Sequence, residues 1–142
     1  MIVIDTNLLV YAHRSAAPEH AAARRAIERA AGTGAWGFAQ PTLPEFWAVV
    51  THPDSSGRPS AGKEAAGFLK ALVDAGAVVF GPGPGFGERL LEVARALNVR
   101  GPRVFDLQIA LMAFDHGCTE IWTRDRGFVA PPGISVVDPL LT

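Results

Sequence analysis

Residues 1–13, MIVIDTNLLVYAH, decide the fold. Residues 1–5 are a short apolar run that ends on a carboxylate, which is typical of a buried strand in a parallel sheet. Residues 6–13 predict one or two helical turns, capped by Asp5 or Thr6. A strand that passes directly into a helix is the first half of an α/β unit. It also raises the question of why a carboxylate stands at the end of a buried strand.

Outward from this stretch, the chain continues to alternate between helices and strands. Proline and glycine mark most of the helix ends, and the predicted helices run from Pro18 to Gly32, from about Pro44 to Pro53, from an N-cap at Ser60 to about Ala75, from Glu88 to Asn98, and from Val104 to His116 with Gly117 as C-cap. Short apolar runs predict strands at 35–40, 77–80, 120–123 and 135–137. This alternation predicts an α/β fold with a central parallel sheet covered on both faces, and residues 1–142 as one domain.

Composition limits the class of protein but not its partners. The formal net charge is −1, which argues against a strongly basic coat for nucleic acid. Eleven of the 13 cations are arginine, which suits phosphate binding but is equally explained by a GC-rich genome. The single cysteine, Cys118, cannot form an internal disulfide. The first twelve residues lack a basic region and contain Asp5, so we expect no signal peptide, no membrane span and a cytoplasmic location.

Two aspartates follow predicted strands. Asp5 ends the first strand, and Asp125 comes just after the strand at 120–123. Because ligands of open parallel sheets bind at the carboxyl ends of the strands, both side chains are expected at the same edge. The alternative is that each aspartate only caps the element that follows it.

Two further carboxylates border apolar helix faces. Glu45 lies in the first turn of its helix, where the helix dipole favours an anion, and its neighbours one turn on are Ala48 and Val49. Asp106 lies in VFDLQIALMAF (104–114), which is apolar nearly all round and predicts a buried helix. A carboxylate there must be paired, neutralised or bound to a metal. Asp115, on the face of Gln108, is expected to be solvated.

Four carboxylates at one edge repel each other. Each close pair costs about 4 kcal/mol at 4 Å with an effective dielectric constant near 20. A divalent cation would remove this cost, and oxygen ligands without cysteine or histidine at ligand spacing favour Mg²⁺ or Mn²⁺ over zinc. Such a site can polarise a phosphate and activate water.

Other candidate motifs are weaker. The segment GPGPGFG (81–87) lacks the lysine of a phosphate-binding loop, and its two prolines remove backbone donors. The histidines His13, His20 and His52 do not have the spacing of a zinc site. His116 and Cys118 are two residues apart at a helix end, so they face different ways and do not predict a nucleophile pair.

Four motifs together resemble a known family. IDTN (4–7), PEFW (44–47), FDLQIALMA (105–113) and TRDRGF (123–128) are similar in order and interval to the PIN domain, and most of all to the VapC ribonuclease toxins of bacterial toxin–antitoxin pairs. The resemblance implies a PIN-like α/β/α sandwich, Mg²⁺-dependent endoribonuclease activity, a homodimer and inhibition by a cognate antitoxin.

The resemblance also assigns residues. The acidic quartet of the family corresponds to Asp5, Glu45, Asp106 and Asp125, and its supporting polar positions correspond to Thr6, Asn7 and Thr123. Asp5 would then be the central metal ligand, which answers the opening question, and Asp5 with Asp106 would hold the principal Mg²⁺.

Gly127 departs from the pattern, because many relatives have a further acidic residue there. Either a second ion is held less tightly in this chain, or Gly127 only supplies a turn with positive φ.

Several expectations remain open at this stage. Arg14, Arg103, Arg124 and Arg126 are candidate contacts to the RNA backbone, with ordinary surface solvation as the alternative. Trp36, Trp47 and Phe68 are candidates for an exposed apolar patch at a dimer interface. Two other functions fit the pattern less well: a phosphoryl-transfer or receiver-type protein, which would need a lysine at the site, and a non-catalytic RNA-binding module.

Overall fold

The computed structural model describes residues 1–55 and 57–141. Within them, five strands are β1 (Ile2–Ile4), β2 (Trp36–Ala39), β3 (Val78–Phe80), β4 (Glu120–Trp122) and β5 (Ser135–Val137). Six helices connect or flank them: α1 (Thr6–His13), α2 (His20–Gly32), α3 (Thr42–Thr51), α4 (Gly62–Asp74), α5 (Phe86–Ala96) and α6 (Arg103–Asp115). The predicted alternation of helices and strands is confirmed.

The five strands form one sheet in which every pair is parallel. Their order is β3-β2-β1-β4-β5, so the chain moves outward from β1 in one direction and then returns to its other side. The point of reversal lies between β1 and β4, where open α/β sheets place their ligand sites. Asp5 and Thr123 follow these two strands directly.

Alternate strand residues enter two separate cores. Ile4 and Phe38 pack with residues of α1, α2, α3 and α4, whereas Val3 and Ala39 pack with α6 and with Phe128. Because successive side chains of a strand point to opposite faces, the two cores lie on opposite faces of the sheet. The predicted α/β/α sandwich is therefore confirmed.

Two local predictions were wrong. Ser60 does not cap α4, which begins at Gly62 with Ala61 as N-cap. Instead the Ser60 hydroxyl lies 2.8 Å from His13 Nε2. The hydroxyl that the sequence predicted as a helix cap therefore makes a contact with a distant part of the chain. Helix α5 begins at Phe86 rather than Glu88, because Gly85 takes a left-handed conformation (φ 68°) at its N-cap.

Asp115 is also not solvated. The guanidinium of Arg89 on α5 contacts both of its carboxylate oxygens, and the Gly83 amide donates to Oδ2 at 3.1 Å. The loop before α5 folds over the end of α6 and covers the side chain, and the pKa of the Asp115 carboxyl is held below its usual range by the hydrogen bonds from Arg89.

The expected apolar patch is smaller than the sequence suggested. Trp36 is fully buried, and Phe68 is partly buried against the same core, stacked on Phe46. Trp47 and the nearby Val49 are exposed. In the described part of the chain, no helix combines the length and the apolar character that a membrane crossing needs.

Candidate metal centre at the strand ends

Asp5 lies at the reversal point of the sheet with both carboxylate oxygens engaged. Oδ1 accepts the Thr6 amide at 2.8 Å, so Asp5 does cap α1. Oδ2 accepts the Thr123 hydroxyl at 2.7 Å from the segment after β4. The side chain is buried, which a capping role alone does not require.

Asn7 and Thr123 hold this arrangement together. The Asn7 amide nitrogen donates to Thr123 Oγ1 at 3.0 Å and approaches Asp5 Oδ2 at 3.4 Å. The Arg124 amide donates to Asn7 Oδ1 at 3.3 Å, and the Asp125 amide donates to Thr123 Oγ1 at 3.0 Å. The two polar residues therefore fix the segment after β4 against the start of α1.

Glu45 and Asp106 reach the same edge from two helices. Glu45 lies in the first turn of α3, and its Oε2 accepts the Thr6 hydroxyl at 2.7 Å. Asp106 lies in the first turn of α6, whose following residues Leu107, Ile109 and Ala110 are buried. Both carboxylates thus stand at helix N-termini, where the helix dipole favours negative charge.

Asp125 combines a local and a long-range contact. Its Oδ1 accepts the Gly127 amide at 2.9 Å, which closes a turn, as the capping alternative requires. Its Oδ2 accepts Arg103 Nη1 at 2.5 Å, and the same nitrogen lies 3.1 Å from Asp106 Oδ2. The Arg103 guanidinium thereby joins the carboxylates of α6 and of the segment after β4, and it lowers the pKa of Asp125.

Electrostatics identify Asp5 as the strained member of the acidic rim, the set Asp5, Glu45, Asp106 and Asp125. Burial raises its pKa to about 6, against the lowering effect of the Thr123 and Thr6 hydrogen bonds. The charges of Glu45 and Asp106 raise the pKa further. Glu45 and Asp106 are therefore close enough for their charges to disfavour the ionised form of Asp5.

The donor set fits a hard divalent cation. The rim offers carboxylate oxygens from four separate segments, and hydroxyl and amide groups already fix Asp5 and Glu45. In the ranges 1–55 and 57–141, no group of three His, Cys, Asp or Glu side chains is placed to hold a metal ion. Two of the four carboxylates, Asp106 and Asp125, contact Arg103 instead.

A cleft of about 370 Å³ opens over the rim. Its lining includes Asp5, Glu45 and Asp106 together with the exposed Val49 and Phe105. A larger groove of about 740 Å³ continues from it along α1 and α3. Three of the four carboxylates therefore line a concave surface that is open to solvent.

The four candidate arginines differ in their surroundings. Arg14 donates to the carbonyl oxygens of Val50 and Arg58, at 2.7 and 2.6 Å, so it ties down the loop after α3. Arg124 pairs with Asp138 at 3.1 Å. Arg103 lies on the acidic rim, and Arg126 is exposed next to Asp125.

Sequence reasoning missed the position of Arg103 between two carboxylates. Its spacing of three residues from Asp106 was a visible signal for the first contact, but nothing local indicated Asp125. The positive φ considered for Gly127 was wrong, since its φ lies outside the left-handed region. Gly127 is needed for space instead: a Cβ there would lie 2.9 Å from Arg103 Cζ and closer still to Nη2.

Comparisons with known proteins agree with this architecture. The family model described as "PIN domain" matches residues 2–133. Ribonuclease VapC48 of Mycobacterium tuberculosis is 32% identical over 137 residues, covering 95% of this chain and 94% of that protein. Ribonuclease VapC24 of the same species is 29% identical over 149 residues, with 99% and 97% covered.

A solved structure has the same fold. The crystal structure of Mycobacterium tuberculosis VapC20, described as a Sarcin-Ricin loop cleaving toxin, covers 92% of this chain and 100% of its own, with a TM-score of 0.68. Its sequence identity is 15%, so this similarity concerns the fold alone.

Proposed function

This chain belongs to the PIN-domain family, and within it to the VapC ribonucleases, and from that premise we propose that it is a Mg²⁺- or Mn²⁺-dependent endoribonuclease and the toxin of a type II toxin–antitoxin pair. The observation that carries the proposal is the acidic rim itself. Asp5, Glu45 and Asp106 line one accessible cleft at the reversal point of the sheet, and Arg103 connects Asp125 to Asp106 beside it. A fold that keeps a buried Asp5 beside other acids bears a cost in stability, which a bound cation would offset.

Each residue of the rim has a proposed role. Asp5 and Asp106 would hold the principal ion, and Glu45 and Asp125 would complete the cluster, orient water or contribute to a second ion. Thr6 fixes Glu45 by a hydrogen bond, and Thr123 fixes Asp5 in the same way. Asn7 keeps Thr123 in position, so the supporting polar residues act by holding the carboxylates.

The reaction is hydrolysis of an RNA phosphodiester. A bound divalent ion would supply a Lewis acid for the phosphate oxygens and lower the pKa of the attacking water. The oxygen of that water would form the new bond to phosphorus and lose a proton to solvent, and the bond from phosphorus to the 3′ oxygen would break as that oxygen takes up a proton. The products are a 5′-phosphate and a 3′-hydroxyl.

The RNA backbone would meet the rim from the solvent side. Arg103 contacts Asp125 on the rim, and Arg126 is an exposed sequence neighbour of Asp125, whereas Arg14 donates to Val50 and Arg124 pairs with Asp138. The first two are therefore the preferred phosphate contacts. A cytoplasmic location is part of the proposal, because the cell's RNA would be met there.

Two protein partners belong to the proposal. The VapC assignment implies a cognate antitoxin, and a second copy of the chain is the partner expected for a homodimer. The exposed Trp47 and Val49 support an interface, since both are more than two fifths accessible. Light scattering of the purified chain at micromolar concentration should give twice the mass of the monomer, and a monomer would count against the dimer.

The competing functions have less support. Both lysines, Lys63 and Lys70, lie on exposed positions of α4, away from the strand ends, so the lysine of a receiver-type site is not provided. A non-catalytic RNA-binding module would not need Asp5, Glu45 and Asp106 to share one cleft.

Incubating the purified chain with total bacterial RNA in Mg²⁺, in EDTA, and in EDTA followed by excess Mn²⁺ tests the proposal. We expect discrete cleavage products with Mg²⁺, none in EDTA and recovery with Mn²⁺. Cleavage that persists in EDTA would exclude the metal-dependent reaction. RNA binding without cleavage in any metal would favour the binding module.

A further inference from the structure

Arg103 occupies an unusual place for a cation beside a metal site. It begins α6, and a single nitrogen, Nη1, contacts Oδ2 of both Asp106 and Asp125. A divalent ion held by Asp106 and Asp125 would compete with the guanidinium for these carboxylates. A guanidinium is charged at every physiological pH. While Arg103 stays in contact with Asp106 and Asp125, it therefore offsets part of their negative charge.

Gly127 provides the space for this contact. A Cβ at this position would overlap the guanidinium, and the obstruction is the far end of a flexible side chain rather than backbone. The Gly127 amide also donates to Asp125 Oδ1, which leaves Oδ2 directed to Arg103. One residue without a side chain therefore allows both contacts of Asp125.

We propose that Arg103 is an internal counter-cation that competes with divalent ions for Asp106 and Asp125 in the RNA-free protein, and that Gly127 keeps room for it. The proposal rests on the proposed function and deepens it. Asp5 and Glu45 make no ion pair with Arg103, so the competition is for Asp106, a proposed ligand of the principal ion, and for Asp125. Divalent ions then bind these two carboxylates weakly until the guanidinium leaves.

A phosphate of the RNA backbone is the group that would draw Arg103 away. A guanidinium can donate two parallel hydrogen bonds to a phosphate, and the Arg103 side chain is 44% exposed, so it is free of the packing that would prevent a swing toward solvent. Metal binding at Asp106 and Asp125 is thereby coupled to RNA binding. The coupling is reciprocal, so the ion also strengthens the binding of RNA.

Calorimetric titration of Mn²⁺ without RNA tests the competition directly. Arg103→Met should raise the Mn²⁺ affinity about tenfold, since the competing charge is removed at contact distance. Gly127→Ala should raise it several-fold by displacing the guanidinium. In the Arg103→Met background, Gly127→Ala should add nothing, because no guanidinium is left to displace.

Arg126→Met is the matched control. It also removes one positive charge next to Asp125, but Arg126 is exposed and does not lie between the two carboxylates as Arg103 does. Its Mn²⁺ affinity should stay within about twofold of wild type, as expected for an exposed charge screened by salt. Equal effects of the two arginine variants, or an additive effect of Gly127→Ala in the double variant, would overturn the competition.

Cleavage kinetics separate the role in metal binding from a structural one. Arg103→Met should need less Mg²⁺ for half-maximal cleavage but show a higher KM for RNA, two opposite changes that a destabilised fold would not produce. An unchanged KM would exclude the phosphate contact. If wild type cleaves no RNA, the proposed function fails, while the Mn²⁺ titrations still decide the competition.

Discussion

Two arginine–aspartate contacts of this protein look alike but differ in how much carboxylate charge the arginine leaves unpaired. Arg89 and Asp115 form a closed pair: two nitrogens contact two oxygens, and the Gly83 amide adds a further hydrogen bond. Arg103 instead shares one nitrogen between Asp106 and Asp125. The Asp115 side chain is 8% exposed, whereas that of Asp125 is 37% exposed.

A glycine stands beside each contact. A Cβ at Gly83 would lie 2.9 Å from Asp115 Cγ, just as one at Gly127 would overlap Arg103. The closed pair balances one charge with one charge, so it holds α5 against α6 and has nothing left to bind. The acidic rim retains excess negative charge at an accessible cleft, which is the condition for recruiting another cation.

The largest expected difference between the two regions is in catalysis. Asp106→Asn and Asp115→Asn remove one charge each from the same helix, α6. Asp106→Asn should reduce the RNA cleavage rate by about 100- to 1000-fold, because a ligand of the principal ion is lost. Asp115→Asn should cleave within about threefold of wild type, because its partner is Arg89 rather than the rim.

Single-turnover cleavage in saturating Mg²⁺ measures both variants, and circular dichroism confirms that each is folded. A near-normal rate for Asp106→Asn would show that the principal ligand has been assigned to the wrong residue.

For the free energy of unfolding, the larger effect should come from Asp115→Asn and the smaller one from Asp106→Asn. Asp115→Asn should lower the free energy of unfolding by about 1–2 kcal/mol, since a buried carboxylate loses charged hydrogen bonds. Asp106→Asn in EDTA should leave stability level or raise it, because it removes charge from a repulsive group. Urea denaturation of the two variants without metal gives the comparison, and equal losses would remove the distinction between the regions.

The pH dependence of stability should also differ between the two regions, because the pKa of Asp5 is raised and that of Asp115 is lowered. The raised pKa of Asp5, about 6 against 3.8 unfolded, means that ionised Asp5 destabilises the fold above pH 6 and that this penalty disappears as pH falls toward 3.8. The lowered pKa of Asp115 means that its contribution is present above its unfolded pKa and is lost as pH falls through the lower folded value.

Asp5→Asn should therefore be more stable than wild type by about 1–2 kcal/mol at pH 7 in EDTA, with part of the gain lost to the altered Thr123 hydrogen bond. The difference should shrink between pH 7 and pH 4.5. A gain that does not depend on pH would mean that burial of the Asp5 charge is not the cause.

Features of the fold and of the site that depend on local sequence patterns could be predicted from the sequence. Short apolar runs and the positions of proline and glycine predicted the strands and helices, and parallel pairing predicted that Asp5 and Asp125 follow strands at one edge. The sheet order confirms this, since β1 and β4 are neighbours. The roles of these residues as metal ligands remain predictions.

Contacts between distant segments were not predictable. Asp115 was expected in solvent, but the loop before α5, which is distant in sequence, covers it. Ser60 was expected to cap a helix, but its hydroxyl contacts His13 instead. The position of Arg103 depends on how the first turn of α6 meets the segment after β4. In each case a contact with a distant segment of the chain, which the local pattern does not show, determined where the side chain lies.

Analysis of the RNA ends tests the central claim most directly, because it reports the attacking group. The purified chain is incubated with RNA in Mg²⁺, and the products are tested for ligation by an enzyme that requires a 5′-phosphate and a 3′-hydroxyl. Attack by water at the acidic rim predicts products that ligate without further treatment and a parallel reaction in EDTA without products. Products that end in a 2′,3′-cyclic phosphate, formed equally in EDTA, would contradict a metal-dependent hydrolysis at Asp5, Glu45, Asp106 and Asp125.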